Sequence, residues 1–281
     1  MKKILVPCDF SAPSKEAYKF ALEIASISKG EIYVIHHIEL PLIYETTIGV
    51  QTRLVDSENR IKLKERATKA FKKLTETFYT PASTAVHFKM IDDFILPGIR
   101  TFISENNIDL VIMGTNGSSG LEEFLIGSNT EKVVRYSPVP VIAVKKASAF
   151  GGIQHIVFPS DLELNQSDLV AHVIELQNFF KAKLHVLTVA TPSHFITDQE
   201  AHEALGEFAR HYRLRNYTLN FRSDYDERKG ILNFTKEIQA KMIAIGTHSR
   251  KGLKHLVSGS IAESVVNHLE CPVWTYSIGQ K

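Results

Sequence analysis

A chain of 281 residues fits two units of about 140, each long enough to bury its own core. With 44% hydrophobic and 23% charged residues, the composition excludes the disordered and fibrous classes. A formal net charge of +2 without a dense Lys/Arg run argues against a nucleic-acid binder, and two cysteines cannot build a disulfide framework.

The N-terminal MKKILVPC has the lysines and apolar stretch of a secretory signal, but Asp9, Lys15 and Glu16 cut the stretch short. It reads instead as a first strand, Lys3 to Pro7. No apolar run approaches the length of about 20 residues that crosses a bilayer, so a cytoplasmic protein is expected.

Ser11 to Ser28 follows as a helix with Ala17, Ala21, Leu22 and Ala25 on its inward stripe. Strand two is 31 to 38, residues 40 to 60 form an irregular excursion, and Ile61 to Phe78 is an amphipathic helix rich in lysine. Strand three is 84 to 91, a helix runs from Phe94 to Glu105, and strand four is 109 to 113. A glycine-punctuated loop, a helix from Asn129 to Tyr136 and a fifth strand, Val139 to Val144, complete the unit. After a linker at 147–152, strands are expected at 155 to 158, 183 to 189, 217 to 222, 242 to 245 and 272 to 276, with a long helix near Asp198 to Tyr212.

The loop carries Gly114-x2-Gly117-x9-Gly127-Ser128, and Ser128 with Glu131 has capping-box spacing. Strand-to-helix turns of this kind suit an anion, because the first helical N–H groups are unpartnered and glycines let the backbone approach a ligand. The plainer reading is a turn whose glycines only solve a backbone problem. A second copy shifts that balance. Gly246 to Gly259 spans the same 13 positions as Gly114 to Gly127, and Ser260 with Glu263 repeats the capping box.

The repeat extends further. ILVPCDFS (4 to 11) aligns with IVFPSDLE (156 to 163), pairing Pro7 with Pro159 and Asp9 with Asp161, and PVPVIAV aligns with the ECPVWTY run. Two domains are therefore expected, 1–146 and 153–281. Strands alternating with helices give each a doubly wound, flavodoxin- or Rossmann-like parallel sheet, with ligands held beyond the strand C-termini where the strand order reverses. At that place Asp9 would face the glycine loop. A carboxylate there can accept hydrogen bonds from a ribose or a base amino group, although Asp9 and Asp161 could also cap the helices that follow.

Pro-x-Asp after strand one, the glycine skeleton and a Pro-Val fifth strand together resemble the universal stress protein family, in a tandem two-domain form covering essentially the whole chain. The resemblance implies five-stranded sheets of order 3-2-1-4-5 and an adenine nucleotide, ATP or AMP, with or without Mg²⁺, between strands one and four. Carried over by position, the first nucleotide site comprises Pro7, Cys8, Asp9, His37, Gly114, Thr115, Gly117, Gly127, Ser128, Asn129 and Thr130. A second comprises Pro159, Ser160, Asp161, Val189, Gly246, Thr247, Gly259, Ser260 and Ile261. The resemblance also implies edge-to-edge pairing of the fifth strands as an internal pseudo-dimer; a further homodimer stays open.

Both loops depart from the pattern. The first has Ser118 where a basic residue often stands, with Glu122 and Glu123 beyond; the second has Arg250, Lys251, Lys254 and His255 but Ser249 for a glycine. The intact glycines favour the first site. Adjacent His36 and His37 point to opposite faces of a strand and cannot chelate one ion together. Cys8 and Cys271 read as small core residues, with no CxxC between them. No P-loop, no GxGxxG after a strand and no nucleophile elbow is present. No catalytic residue or metal ligand is nominated. The expected function is a nucleotide-binding stress-response regulator with an unknown protein partner. The alternatives are an interaction scaffold with vestigial pockets and a slow metal-dependent ATP hydrolase.

Overall fold

The computed structural model describes residues 1–38, 57–81, 84–92, 95–115, 128–145, 150–248 and 271–278. The first half comprises β1 (Lys3–Pro7), α1 (Ala12–Ser28), β2 (Glu31–His37), α2 (Ser57–Thr77), β3 (Val86–Ile91), α3 (Ile95–Asn106), β4 (Leu110–Gly114), α4 (Ser128–Tyr136) and β5 (Val141–Val144). The second comprises β6 (His155–Pro159), α5 (Ser167–Phe180), β7 (Lys183–Ala190), α6 (Asp198–His211), β8 (Tyr217–Ser223), α7 (Glu227–Glu237), β9 (Met242–His248) and β10 (Val273–Ile278).

The strands lie in the order β3-β2-β1-β4-β5-β10-β9-β6-β7-β8, so each half has the order 3-2-1-4-5. Within each half the pairing is parallel, and the two fifth strands meet antiparallel, Val273 opposite Ala143 and Thr275 opposite Val141. What reads as two sheets is therefore one sheet of ten strands. This pairing gives β5, buried along its whole length, a neighbour on the side that would otherwise be an open apolar edge.

Burial on both faces explains why the central strands are written as apolar runs. Ile4 and Val6 pack into the core under α1, while Leu5 packs into the opposite core with Ile99 and Phe102 of α3. Local signals fix the helix ends. Ser11 accepts from the Ser14 N–H to cap α1, and Thr197 and Glu200 close a reciprocal capping box on α6.

Two boundaries differ from the sequence reading by more than two residues. The second helix begins at Ser57 rather than Ile61. Arg60 in its first turn ion-pairs with Asp92 at the end of β3, a long-range tie that periodicity cannot report. Strand β9 continues to His248, beyond the expected end at 245, because β10 runs beside it and pairs Ser277 with Thr247 and Ile278 with His248.

Candidate functional site

In the first half β1 lies between β2 and β4, and the chain winds away from it in both directions, which makes its C-terminal tip the switch point of the sheet. Pro7 ends the strand opposite Ile35, and the Cys8 N–H donates to the Ile35 carbonyl at 2.8 Å. Cys8 is buried with Sγ 3.5 Å from Ser14 Oγ, and burial pushes its thiol pKa up, away from a reactive thiolate.

Asp9 follows, exposed at the tip. Its Oδ1 accepts from the Ser11 N–H at 3.0 Å, and the α1 cap is Ser11 itself, so Asp9 does not cap the helix. Surrounding protein opposes ionisation of Asp9, but hydrogen bonds from Ser11 and Ser14 outweigh this and hold the carboxyl below its usual range. It is an ionised acceptor near neutral pH. The tight turn places Phe10 at φ 63°, left-handed for a bulky residue, and its ring packs 4.9 Å from His36. His36 Nδ1–H donates to the Cys8 carbonyl at 2.8 Å, so this histidine braces the β1 tip from β2. His37, half-buried, ends β2 beside it.

Gly114 at the tip of β4 sits against the first turn of α1. A Cβ there would come 2.6 Å from the Pro13 carbonyl carbon and 2.7 Å from the Ser14 nitrogen. Its backbone is not left-handed, so close packing rather than a positive φ demands this glycine. Gly246, its counterpart, packs under the Leu169 side chain, whose Cδ2 lies 2.7 Å from where a Cβ would be, a flexible end rather than backbone. Thr130 in the first turn of α4 donates from Oγ1 to the Gly114 carbonyl at 2.8 Å, tying the helix N-terminus to the strand tip. Thr115 is buried, and its hydroxyl has no partner among the described residues. Asn129 is exposed on α4.

Thus Pro7, Cys8, Asp9, His37, Gly114, Thr115, Asn129 and Thr130 converge at one edge, where α4, beginning at Ser128, directs its positive end. Gly117 and Gly127 lie outside the described residues, as do Gly259, Ser260, Ile261 and the basic run from Arg250 to His255.

The second half repeats the frame with different contents. Leu162 repeats the left-handed φ of 63°, and Ser160 and Pro159 end β6 as Cys8 and Pro7 end β1. Asp161, however, has its Oδ1 held by Gln166 Nε2 at 2.7 Å. Thr247 has partners too: its hydroxyl lies 3.5 Å from the Val134 carbonyl of α4 and 3.4 Å from that of Tyr276. Val189, buried at the end of β7, is pressed by α7 so closely that a Cβ on Gly230 would lie 2.6 Å from its Cγ1. One turn earlier, on the same helix face, stands Glu227, 9% exposed. Burial first, then the charges of Asp226 and Asp161, push its carboxyl up to about 7.

The sequence reading missed Glu227 and Gln166, and it weighed His36 only as a metal ligand, not as the brace of the β1 tip. The signal for Glu227 was present: Glu227, Gly230, Ile231 and Phe234 form the buried stripe of α7, with a carboxylate where an apolar residue is the norm. Among the described residues, no group of three His, Cys, Asp or Glu side chains could hold a metal ion, and no helix is long and apolar enough to cross a membrane.

Two parallel five-stranded units of order 3-2-1-4-5, each with a Pro-x-Asp tip on its central strand, define a class. The family model described as the universal stress protein family matches residues 1–145 and again 152–277, and the chain belongs to that family. A universal stress protein of Methanocaldococcus jannaschii is 32% identical over 149 residues, 52% of this chain and 82% of that protein. One from Synechocystis is 22% identical over 293 residues, spanning 98% of this chain and 100% of its own. The crystal structure of a universal stress protein from Archaeoglobus fulgidus superimposes with a TM-score of 0.70 at 20% identity, covering 99% of this chain and 98% of the other, a likeness of fold.

Proposed function

We propose that this protein is a cytoplasmic stress-response regulator that binds an adenine nucleotide, ATP or AMP, in the first half between β1 and β4. The observation that carries this reading is the convergence at one switch point of an ionised Asp9 and the N-terminus of α4, anchored to Gly114 through Thr130. Asp9 accepts from the ribose or base, and the helix end with the glycine loop receives the phosphates, with or without Mg²⁺. Family membership supports the stress-response role.

The chain is read as two domains, 1–146 and 153–281, joined through β5 and β10. The second serves chiefly as a structural and interaction partner, since Gln166 already occupies Asp161 and Glu227 adds a carboxyl beside it. Calorimetric titration of ATP with Mg²⁺ into the intact protein and into Gly117→Val and Gly259→Val variants tests this. One equivalent lost only in Gly117→Val is expected. Binding lost only in Gly259→Val would move the site to the second half, and no binding to the intact protein would leave an interaction scaffold.

A further inference from the structure

The duplication sets Glu227 apart. Gly98, Ile99 and Phe102 of α3 correspond to Gly230, Ile231 and Phe234 of α7, and in that register Glu227 stands where the first half has Ile95, a residue packed on its core. The second copy has put a carboxyl in an apolar berth. Burying a carboxyl without a partner is costly, and such groups are normally paired. Glu227 is 9% exposed, yet it has no hydrogen-bond or ionic partner among the described residues.

The carboxylates around it are already committed in part. Asp226, the N-cap of α7, accepts from the Lys229 N–H at 3.2 Å through Oδ1 and has Arg228 Nε at 3.7 Å. Asp161, at the tip of β6, gives Oδ1 to Gln166 Nε2, which leaves Oδ2 unbonded among the described residues. Glu227 and Asp161 thus come from separate elements, and they lie close enough for the Asp161 charge to act on Glu227. Both charges that act on Glu227 are negative, and no cation among the described residues offsets them. Neither Glu227 oxygen is among the fully occluded unpaired atoms of the fold, so a ligand can reach the carboxyl from solvent.

The geometry selects the kind of cation. No three His, Cys, Asp or Glu side chains among the described residues converge as metal ligands do, so a wider ion is the better fit. A guanidinium is planar, always charged and weakly hydrated, and its fork of five N–H donors can bridge two carboxylates, whereas an ammonium is a compact point charge. The loops that leave β7 and β8 at this same end of the sheet carry Phe195 and Tyr225, 78% and 89% exposed. Neither ring packs on another among the described residues, and open aromatic faces suit a guanidinium plane.

We infer that the second tip binds a guanidinium group, bridged between Glu227 and Asp161. The inference deepens, and rests on, the reading of the second half as an interaction partner. The group belongs either to an arginine of a partner chain or to a free small molecule.

Two probes carry it: methylguanidinium as the small molecule, and Nα-acetylarginine amide as an arginine within a chain. Methylurea, of the same shape without the charge, and methylammonium, charged without the fork, are the comparisons. Calorimetry on the intact protein is expected to show saturable binding of both probes. Glu227→Gln and Asp161→Asn each lower the affinity about tenfold or more, and Glu175→Gln, an exposed carboxylate of α5, leaves it unchanged. Binding also draws the proton from Glu227, whose carboxyl sits at about 7, so at pH 7 the measured heat varies with the ionisation enthalpy of the buffer, and this variation disappears in Glu227→Gln. Tighter binding of Nα-acetylarginine amide identifies a partner's arginine as the source; tighter binding of methylguanidinium identifies a small molecule. Asp9→Ala leaves both probes unaffected, which separates this inference from the nucleotide site. No saturable binding, methylammonium or methylurea binding as tightly as methylguanidinium, an unchanged affinity in Glu227→Gln, or displacement of the probes by ATP overturns it.

Discussion

Gln166 Nε2 donates to Asp161 Oδ1 at 2.7 Å, and the equivalent residue of the first half is Ser14, whose shorter hydroxyl donates to the Ser11 carbonyl at 3.0 Å and only helps to hold Asp9 ionised. One substitution thus separates two tips that share a Pro-x-Asp turn and a left-handed residue after it. Asp9 is exposed, with the Ser11 N–H on its Oδ1 and acceptor capacity to spare; Asp161 Oδ1 is bridged by Gln166 to its own helix. Asp9→Ala is therefore expected to weaken ATP binding about tenfold or more, while Asp161→Ala changes it less than about twofold, as read by calorimetry. Equal losses in the two variants would contradict the assignment to the first half.

Gly114→Ala tests the steric role of that glycine. The new methyl would meet backbone atoms of Pro13 and Ser14 inside 3 Å, and backbone cannot swing aside as a side chain can. A loss of about 2–3 kcal/mol in urea denaturation is expected without nucleotide present. An unchanged midpoint would show that α1 can ride away from β4.

Glu227 gives a pH dependence with a definite sign. Its folded pKa, about 7, exceeds the ordinary 4.5, so the folded state binds the proton more tightly. The stability it contributes is complete below pH 4.5 and is lost as pH rises through 7. Glu227→Gln should therefore stabilise the protein at pH 8, by roughly 1–3 kcal/mol, with the gain vanishing near pH 4.5. Melting temperatures of both proteins across that range decide it.

His185 works in the opposite direction. It lies buried between His155, Nδ1 to Nε2 at 2.9 Å, and Thr218, whose Oγ1 is 2.7 Å from Nδ1. Burial, then the charges of His155 and Lys183, lower its pKa from 6.5 to about 4. The folded state resists protonation, so stability is full above pH 6.5 and falls toward pH 4, by up to about 3 kcal/mol. In His185→Asn the part of the acid sensitivity between pH 6.5 and 4 should disappear; its persistence would place the cause elsewhere.

The seam predicts the behaviour of the halves. Val141, Ile142, Ala143 and Val144 are buried against β4 and β10, so a 1–146 fragment bares an apolar strand edge. Sedimentation of that fragment should show self-association that the intact chain does not share through this edge. A monodisperse monomer would mean that β5 tolerates an open edge.

The sequence by itself determined the duplication, the alternation of strands and helices, and nearly every strand to within a residue or two. Parallel strands buried on both faces must be apolar throughout, and short apolar runs such as Leu110–Gly114 and Lys3–Pro7 carry that requirement locally. It also marked Asp9 and Gly114 as belonging together, because a doubly wound sheet has one switch point. The resemblance further implied that the fifth strands pair, as β5 and β10 do; only the tertiary structure decided that β9 runs on beside β10, that Gly114 is small for the sake of α1, and that Gln166 and Glu227 alter the second tip. These follow from contacts between residues far apart in the chain, and local periodicity contains no record of what a side chain will meet across the fold.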